Sequence, residues 1–126
     1  MIVDSSNNLE IHGNQVSGES FRMECSTRTT NTLSNATFFR STHNENVWTR
    51  VGYTEFNPDQ TPSCREPMNI VTNYTVSCNS DGSMFILTIS ANNTTEHRTY
   101  WRCQTNTDNR VLENNVIHLF IIGKSF

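Results

Sequence analysis

Polar and apolar residues alternate along this chain in short segments that turn-forming residues separate. In the clearest segment, residues 21–26, the two kinds of side chain take opposite sides: Phe21, Met23 and Cys25 on one, Arg22, Glu24 and Ser26 on the other. A period of two residues is that of a β-strand with one buried face. The 3.6-residue period of an amphipathic helix extends over no useful length. The pattern predicts an all-β fold with Cys25 pointing into its core.

Turn residues and prolines divide the rest of the chain into further strands. His43–Asn46 is expected to form the turn of a hairpin, because Asn tolerates positive φ. The segment 57–67 holds all three prolines and is expected to be a loop. The other expected strands are 9–12, 37–41, 47–53, 70–78, 83–90, 100–104 and 115–122. Many short strands at this spacing are typical of a sandwich or a barrel.

Composition supports this class of fold. With 126 residues and no internal repeat, the chain has the length of one domain, so we expect 1–126 to be a single domain. Asn and Thr occur 17 times each, and hydrophobic residues make up only 34%. Asn favours turns and Thr suits strands, whereas neither favours the interior of a helix. The counts favour an all-β domain with many turns.

Charge and hydropathy exclude several classes of partner. Nine Lys and Arg against twelve Asp and Glu give a net charge of −3, and the basic residues are scattered. A nucleic-acid binder needs a concentrated cationic face, so we expect no nucleic-acid partner. No run of 18 apolar residues is present, so we expect no direct membrane insertion of this domain. Because the first residues lack the pattern of a signal peptide, we expect a removed leader or a fragment of a longer protein.

The cysteines indicate an oxidising compartment. No two of them lie closer than 14 residues, so the paired C-x2-C spacing of a zinc site does not occur, and the histidines are equally dispersed. Two disulfides in an extracellular protein are the favoured interpretation, with a zinc site assembled only in three dimensions as the alternative. Four cysteines allow three pairings, and spacing does not choose among them. The residues concerned are Cys25, Cys64, Cys78, Cys103, His12, His43, His97 and His118.

Four N-glycosylation sequons support the same compartment. They begin at Asn35, Asn73, Asn92 and Asn93. A chain this rich in Asn and Thr produces sequons by chance, but with the even number of cysteines they favour the secretory route and mark exposed segments. Because the last two sequons overlap, we expect at most one of them to carry sugar.

Catalytic motifs are missing from the sequence. It contains no G-x-S-x-G elbow, no H-E-x-x-H, no P-loop and no dinucleotide-binding glycine pattern. Glu96-His97 is the only adjacent acid–histidine pair, and we expect it to lie in a solvated turn. Disulfide formation would also remove the free thiol nucleophiles. We therefore expect no enzymatic activity and no cofactor.

Three segments carry a family resemblance. Leu87-Thr88-Ile89-Ser90, a polar connection and then Tyr100-Trp101-Arg102-Cys103 resemble strands E and F of an immunoglobulin-superfamily domain. Phe38-Phe39-Arg40 takes the place of the W-Y-R of strand C in that family. The 78 residues between Cys25 and Cys103 leave space for the extra C′ and C″ strands. The resemblance implies a two-sheet Greek-key sandwich of the variable (V) type.

The chain departs from the family pattern at several positions. The core Trp of strand C is replaced by Phe38 or Phe39, the corner Tyr by Trp101, and the Asp before it by His97. The last strand also lacks the F-G-x-G bulge of antigen-receptor domains. Such divergence resembles invertebrate or viral members of the family.

The resemblance further implies which cysteines pair. Cys25–Cys103 would join the two sheets, and the chain-entropy account values a loop of that length at roughly 4–5 kcal/mol. Cys64–Cys78 would pin the proline-rich excursion between strands C′ and D. Mapping of the disulfides by mass spectrometry tests this assignment.

A binding role follows from the family rather than from site chemistry. The resemblance implies a face on strands C, C′, F and G, made of Phe39, Trp48, Arg50, Tyr53, Arg102 and Gln104. The alternative for Phe39 and Trp48 is burial in the core, as is common for aromatic residues on strands. A second candidate surface is the loop end, formed by 27–36, 58–62 and 105–110.

The favoured hypothesis is an extracellular recognition or adhesion module of a cell-surface receptor. Its partner would be a protein, which includes a second copy of the chain. A second hypothesis is the immunoglobulin domain of a secreted pattern-recognition protein that binds glycans or microbes. A third is a structural spacer. Self-association and binding to a glycan array distinguish the three.

Overall fold

The computed structural model describes residues 8–13, 15–16, 18–26, 33–42, 47–61, 63–65, 68–69, 74–90, 94–107, 110–113 and 116–123. Within these ranges the chain forms ten strands and one 3-10 turn, at Thr94–Glu96. No helix in these ranges is long and apolar enough to cross a membrane. The strands are β1 Asn8–His12, β2 Phe21–Ser26, β3 Ser34–Ser41, β4 Thr49–Phe56, β5 Met68–Asn69, β6 Tyr74–Cys78, β7 Met84–Ile89, β8 Thr99–Thr107, β9 Arg110–Glu113 and β10 Ile117–Leu119.

The strands form two antiparallel sheets that pack face to face. One sheet has the order β1-β2-β7-β6, and the other has the order β10-β8-β3-β4-β5 with β9 paired to β8. An isolated parallel bridge joins Val16, before β2, to Ile122, after β10. This is the strand order of a V-type immunoglobulin-like sandwich, in which β4 and β5 are the C′ and C″ strands. The fold class expected from the sequence is confirmed.

The core lies between the sheets and follows the period-two pattern. The inward side chains of β2 and β7 are buried as the alternation predicts: Phe21, Met23, Cys25, Phe85, Leu87 and Ile89. On β3 it is Phe38 that is fully buried, whereas Phe39 faces outward. Trp101 is also fully buried. Its ring makes an edge-to-face contact with that of Tyr74, which belongs to the opposite sheet, and the ring centroids are 5.4 Å apart. Phe38 and Trp101 together supply the large aromatic centre of the sandwich.

Two disulfides connect the sheets. Cys25 of β2 is bonded to Cys103 of β8 through the middle of the core. Cys64, which forms a bridge with the end of β4, is bonded to Cys78 at the end of β6. The pairing in the structure is the one that the family resemblance implies. Disulfides of this kind are typical of proteins that fold in an oxidising compartment.

A bulge in β4 sets which side chains face outward. The β3–β4 register shifts between Phe38, which is opposite Gly52, and Phe39, which is opposite Arg50, so Val51 is the extra residue. Val51 is buried, and Arg50 is exposed. A Cβ atom on Gly52 would clash with Val76 of the other sheet. Glycine therefore allows the two sheets to approach closely beneath the bulge.

The strand boundaries correct part of the loop-end surface expected from the sequence. Residues 34–36 belong to β3 and 105–107 to β8, with Ala36 and Thr105 fully buried. Strand β9, which pairs with β8, was not expected. These Asn- and Thr-rich segments have the composition of loops, but β-branched threonine also pairs well in a ladder. Residues 27–32, 62 and 108–109 of the same surface lie outside the described residues.

Candidate binding face

The outer face of the six-stranded sheet is the side that points away from the core. On β3, β4 and β8, alternate side chains reach this face, and the register aligns them in rows across the strands. One row contains Arg50, Phe39 and Arg102, and the next contains Tyr53, Thr37 and Gln104. Five of the six residues that the resemblance implied therefore share this face, and the sixth, Trp48 just before β4, contacts Arg102 on it.

The centre of the face is an arginine between two aromatic rings. The guanidinium carbon of Arg102 lies 4.6 Å from the ring centroid of Phe39 and 4.9 Å from that of Trp48. Both distances are within the range of a cation–π interaction. The three side chains are partly exposed, so the alternative that Phe39 and Trp48 belong to the core is wrong. The stack holds a charged group and two apolar rings in fixed positions at the surface.

The other three implied residues, Arg50, Tyr53 and Gln104, are not part of this stack. Arg50 is exposed opposite Phe39, and Gln104 is partly exposed opposite Thr37. Tyr53 lies on the other side of Thr37, and its hydroxyl donates a 2.6 Å hydrogen bond to Glu55 Oε1. These side chains surround the stack on the strands β4 and β8.

Tyr53 and Glu55 hold each other in opposite charge states. Burial, followed by the hydrogen bond to Glu55, raises the pKa of Tyr53 to about 12. The hydrogen bond from Tyr53, followed by the one from Arg65, lowers the pKa of Glu55. Arg65 Nη1 lies 2.9 Å from Glu55 Oε2. At neutral pH the face therefore presents a neutral phenol next to an ionised, paired carboxylate.

Three aromatic side chains that were not among the six extend the face. The ring of His118 stacks on Tyr100 with centroids 4.1 Å apart and contacts Phe120 at 4.4 Å. Phe120 is 51% exposed. Tyr100 lies two residues before Arg102 and therefore on the same side of β8. The alternation of the last strand, which turns Ile117 and Leu119 inward, was the signal that could have identified them.

We call the apolar and cationic part of the face the aromatic half. It is centred on Arg102 and extends toward β10, at one edge of the sheet. Its members are Phe39, Trp48, Arg50, Tyr100, Arg102, His118 and Phe120.

The opposite end of the face carries a polar row. Asn35, on β3, lies between Glu55 on β4 and Asn106 on β8. Asn106 Nδ2 donates a 2.9 Å hydrogen bond to Asn35 Oδ1. Val111, opposite Asn106 on β9, is 61% exposed. Asn35 is thus a half-buried strand residue and not part of a loop as expected, whereas Asn73, Asn92 and Asn93 lie outside the described residues.

In the Glu96-His97 pair before β8, the glutamate has a structural role. Glu96 is only 3% exposed, which corrects the expectation of a solvated turn. Its carboxylate accepts hydrogen bonds from Tyr74 Oη at 2.5 Å and from Arg40 Nε at 2.7 Å. Since Tyr74 and Arg40 belong to opposite sheets, this carboxylate joins the sheets at one end of the sandwich. His97 is exposed, and its Nδ1 accepts a hydrogen bond from the Ile121 N–H.

Trp101 takes part in the same corner. Its indole N–H donates a 2.7 Å hydrogen bond to Thr99 Oγ1, which in turn donates at 2.6 Å to the carbonyl of Glu96. A Trp–Thr pair therefore ties the turn to β8. Among the described residues, no group of three or more His, Cys, Asp or Glu is arranged to hold a metal ion.

No protein-family model and no curated protein sequence matches this chain. Its function is therefore inferred from the fold and from the outer face.

Proposed function

We propose that this chain is a recognition module of the immunoglobulin superfamily, of a divergent V type, that binds a protein partner through its outer face. The observation that carries the proposal is the partly exposed stack of Phe39, Arg102 and Trp48. The partner is a second copy of the chain or the ectodomain of another cell-surface protein. The divergence from antigen-receptor patterns supports an invertebrate or viral source.

An extracellular location is the setting of this proposal. The two disulfides support an oxidising compartment, and the four sequons support passage through the secretory route. The domain would belong to the ectodomain of a membrane receptor or to a secreted protein. Its surface would meet partners outside the cell.

The residue types on the face suit protein recognition. Trp, Tyr and Arg are the side chains that most often anchor interfaces, because each buries a large area and retains a polar group. Arg102 is already held between two rings, so little side-chain freedom remains to be lost on binding. The stack is also supported by strands that pair on both sides, namely β3 and β8. A rigid, preformed contact area of this kind favours a flat protein partner.

Sedimentation of the purified, glycosylated protein tests the proposal. We expect concentration-dependent self-association that Trp48→Ala and Arg50→Glu each weaken about tenfold or more, the loss typical of an interface anchor. Ser77→Ala, at an exposed position of β6 on the other sheet and outside every sequon, is the matched control and should leave association unchanged. All three variants should keep the unfolding midpoint of the wild type.

The other outcomes decide between functions. If Trp48→Ala and Arg50→Glu both unfold the domain, these residues are structural and the proposed face is wrong. Binding on a glycan array without self-association would replace the proposal by secreted pattern recognition. A monomer that binds in neither assay would indicate a structural spacer.

A further inference from the structure

We propose that Asn35 carries an N-linked glycan that covers the polar row of the outer face and confines protein docking to the aromatic half. The first part, the occupied site, stands on sequence and geometry alone. The second part rests on the proposed function. It also decides between the two candidate surfaces, because the polar row lies next to the β8–β9 hairpin of the loop end.

The side chain of Asn35 has the chemistry and the orientation for this modification. Asn35-Ala36-Thr37 is a sequon, and Asn35 points outward from β3 because its two neighbours, Ser34 and Ala36, are both buried. Its Oδ1 receives the hydrogen bond from Asn106. That bond leaves Nδ2, the atom that carries the sugar, on the other side of the amide. The hydrogen bond to Asn106 is compatible with the glycan and would fix its starting direction.

Distances along the sheet set what a glycan at this position would cover. Residues 35 and 37 are about 7 Å apart along the strand, and neighbouring strands lie roughly 5 Å apart. Tyr53, Gln104 and Val111 are therefore within reach of the first sugars. Phe39 is four residues from Asn35, about 13 Å along β3, and the rest of the aromatic half lies farther still. No residue of the aromatic half belongs to a sequon.

The exposed Val111 gives the glycan a structural function as well. It stands in the same row as Asn35, two strands away, and is 61% exposed on the short strand β9. An uncovered apolar side chain near a sheet edge favours unwanted pairing with other chains. A glycan that starts from Asn35, two strands away on β3, would cover it.

Occupancy is measured first, on protein secreted by eukaryotic cells. Trypsin releases residues 29–40 as one peptide, and Asn35 is its only sequon, so the site is read separately from the other three. Enzymatic removal of N-glycans in ¹⁸O-water should convert most of Asn35 to labelled Asp. Thr37→Ser keeps the sequon and should give the same result. A peptide that carries unmodified Asn35 in most molecules would overturn the proposal.

Coverage is measured next, by hydroxyl-radical footprinting of the glycosylated protein and of Asn35→Gln. We expect oxidation of Tyr53 and Val111 to rise several-fold in Asn35→Gln, while that of Trp48 and Phe120 stays unchanged. Equal oxidation of Tyr53 and Val111 in both proteins would refute the covering role. Neither experiment needs a partner, so a failure of the binding assays counts against the proposed function without changing these readouts.

Discussion

Two consecutive cross-strand pairs, on opposite faces of one sheet, contain the same kinds of residue. Phe39 on β3 is opposite Arg102 on β8, and the next pair is Arg40 opposite Trp101. The first pair faces solvent, where Arg102 lies between two partly exposed rings. In the second pair, Arg40 binds the buried carboxylate of Glu96 and Trp101 is fully buried. An arginine beside an aromatic ring is therefore not in itself a binding site.

The difference lies in what surrounds each charge. The side chain of Arg40 is 20% exposed and its partner carboxylate 3%, so this pair offers almost no surface to another molecule. The rings around Arg102 keep solvent-facing area that a partner can cover. We infer that changes around Arg40 and Glu96 alter stability, whereas changes around Arg102 alter binding. The following predictions test that separation, beginning with the largest effect.

Removal of the buried carboxylate should be the most damaging change. Glu96→Ala leaves the Arg40 charge and the Tyr74 hydroxyl without their acceptor, so we expect a loss of about 3–5 kcal/mol in the free energy of unfolding. Denaturant titration measures it. Combining Glu96→Leu with Arg40→Met should cost less than Glu96→Ala alone, because no charge is then left unpaired. A loss of less than about 1 kcal/mol in Glu96→Ala, the size of an ordinary surface change, would contradict this account of the corner.

The same corner should make the protein sensitive to alkali. Burial, followed by the hydrogen bond to Glu96, raises the pKa of Tyr74 well above its ordinary value. A folded-state pKa above the unfolded one gives stability that is complete below pH 10 and is lost as the pH rises toward the folded-state pKa. Between pH 9 and pH 11 we expect wild type to lose about 1 kcal/mol more than Tyr74→Phe, measured by unfolding at each pH. Parallel pH profiles of the two proteins would refute this coupling.

The exposed stack should show the smallest effect on stability. In a double-mutant cycle of Phe39→Leu and Arg102→Met, we expect a coupling of about 0.5–1 kcal/mol, the usual size of an exposed cation–π contact. Each single variant should remain folded with near wild-type stability. A coupling of several kcal/mol would place the stack with the structural cluster, and the separation between the two arginines would fail.

Local sequence pattern predicts most of the fold because its signal is short in range. Alternation over six residues identifies the inward side chains of β2 and β7, and the spacing between Cys25 and Cys103 leaves space for β4 and β5. Composition misled where threonine and asparagine dominate, since Thr105 looks like a loop residue and is fully buried in a strand. Pairing partners decide such segments, and sequence alone does not reveal them.

The sites are harder to predict because they depend on contacts between distant residues. Glu96 is buried through Arg40, 56 residues away, and Tyr74, 22 residues away. The position of Trp48 depends on the bulge at Val51, which sets the register of β4 against β3. The outward direction of Phe39 and Arg102 follows from alternation, but their contact with Trp48 does not. Long-range geometry thus supplied the corner and the stack.

The covalent link between β2 and β8 also limits how far the protein could be stretched. Cys25 and Cys103 are 78 positions apart in sequence but only 6.3 Å apart between their Cα atoms. A pulling force applied at the two ends would be transmitted through the sulfur atoms and would bypass everything between them. Only the segments before Cys25 and after Cys103 could unravel under load. A domain built this way would transmit tension between two surfaces while the strands between its two cysteines carry no load.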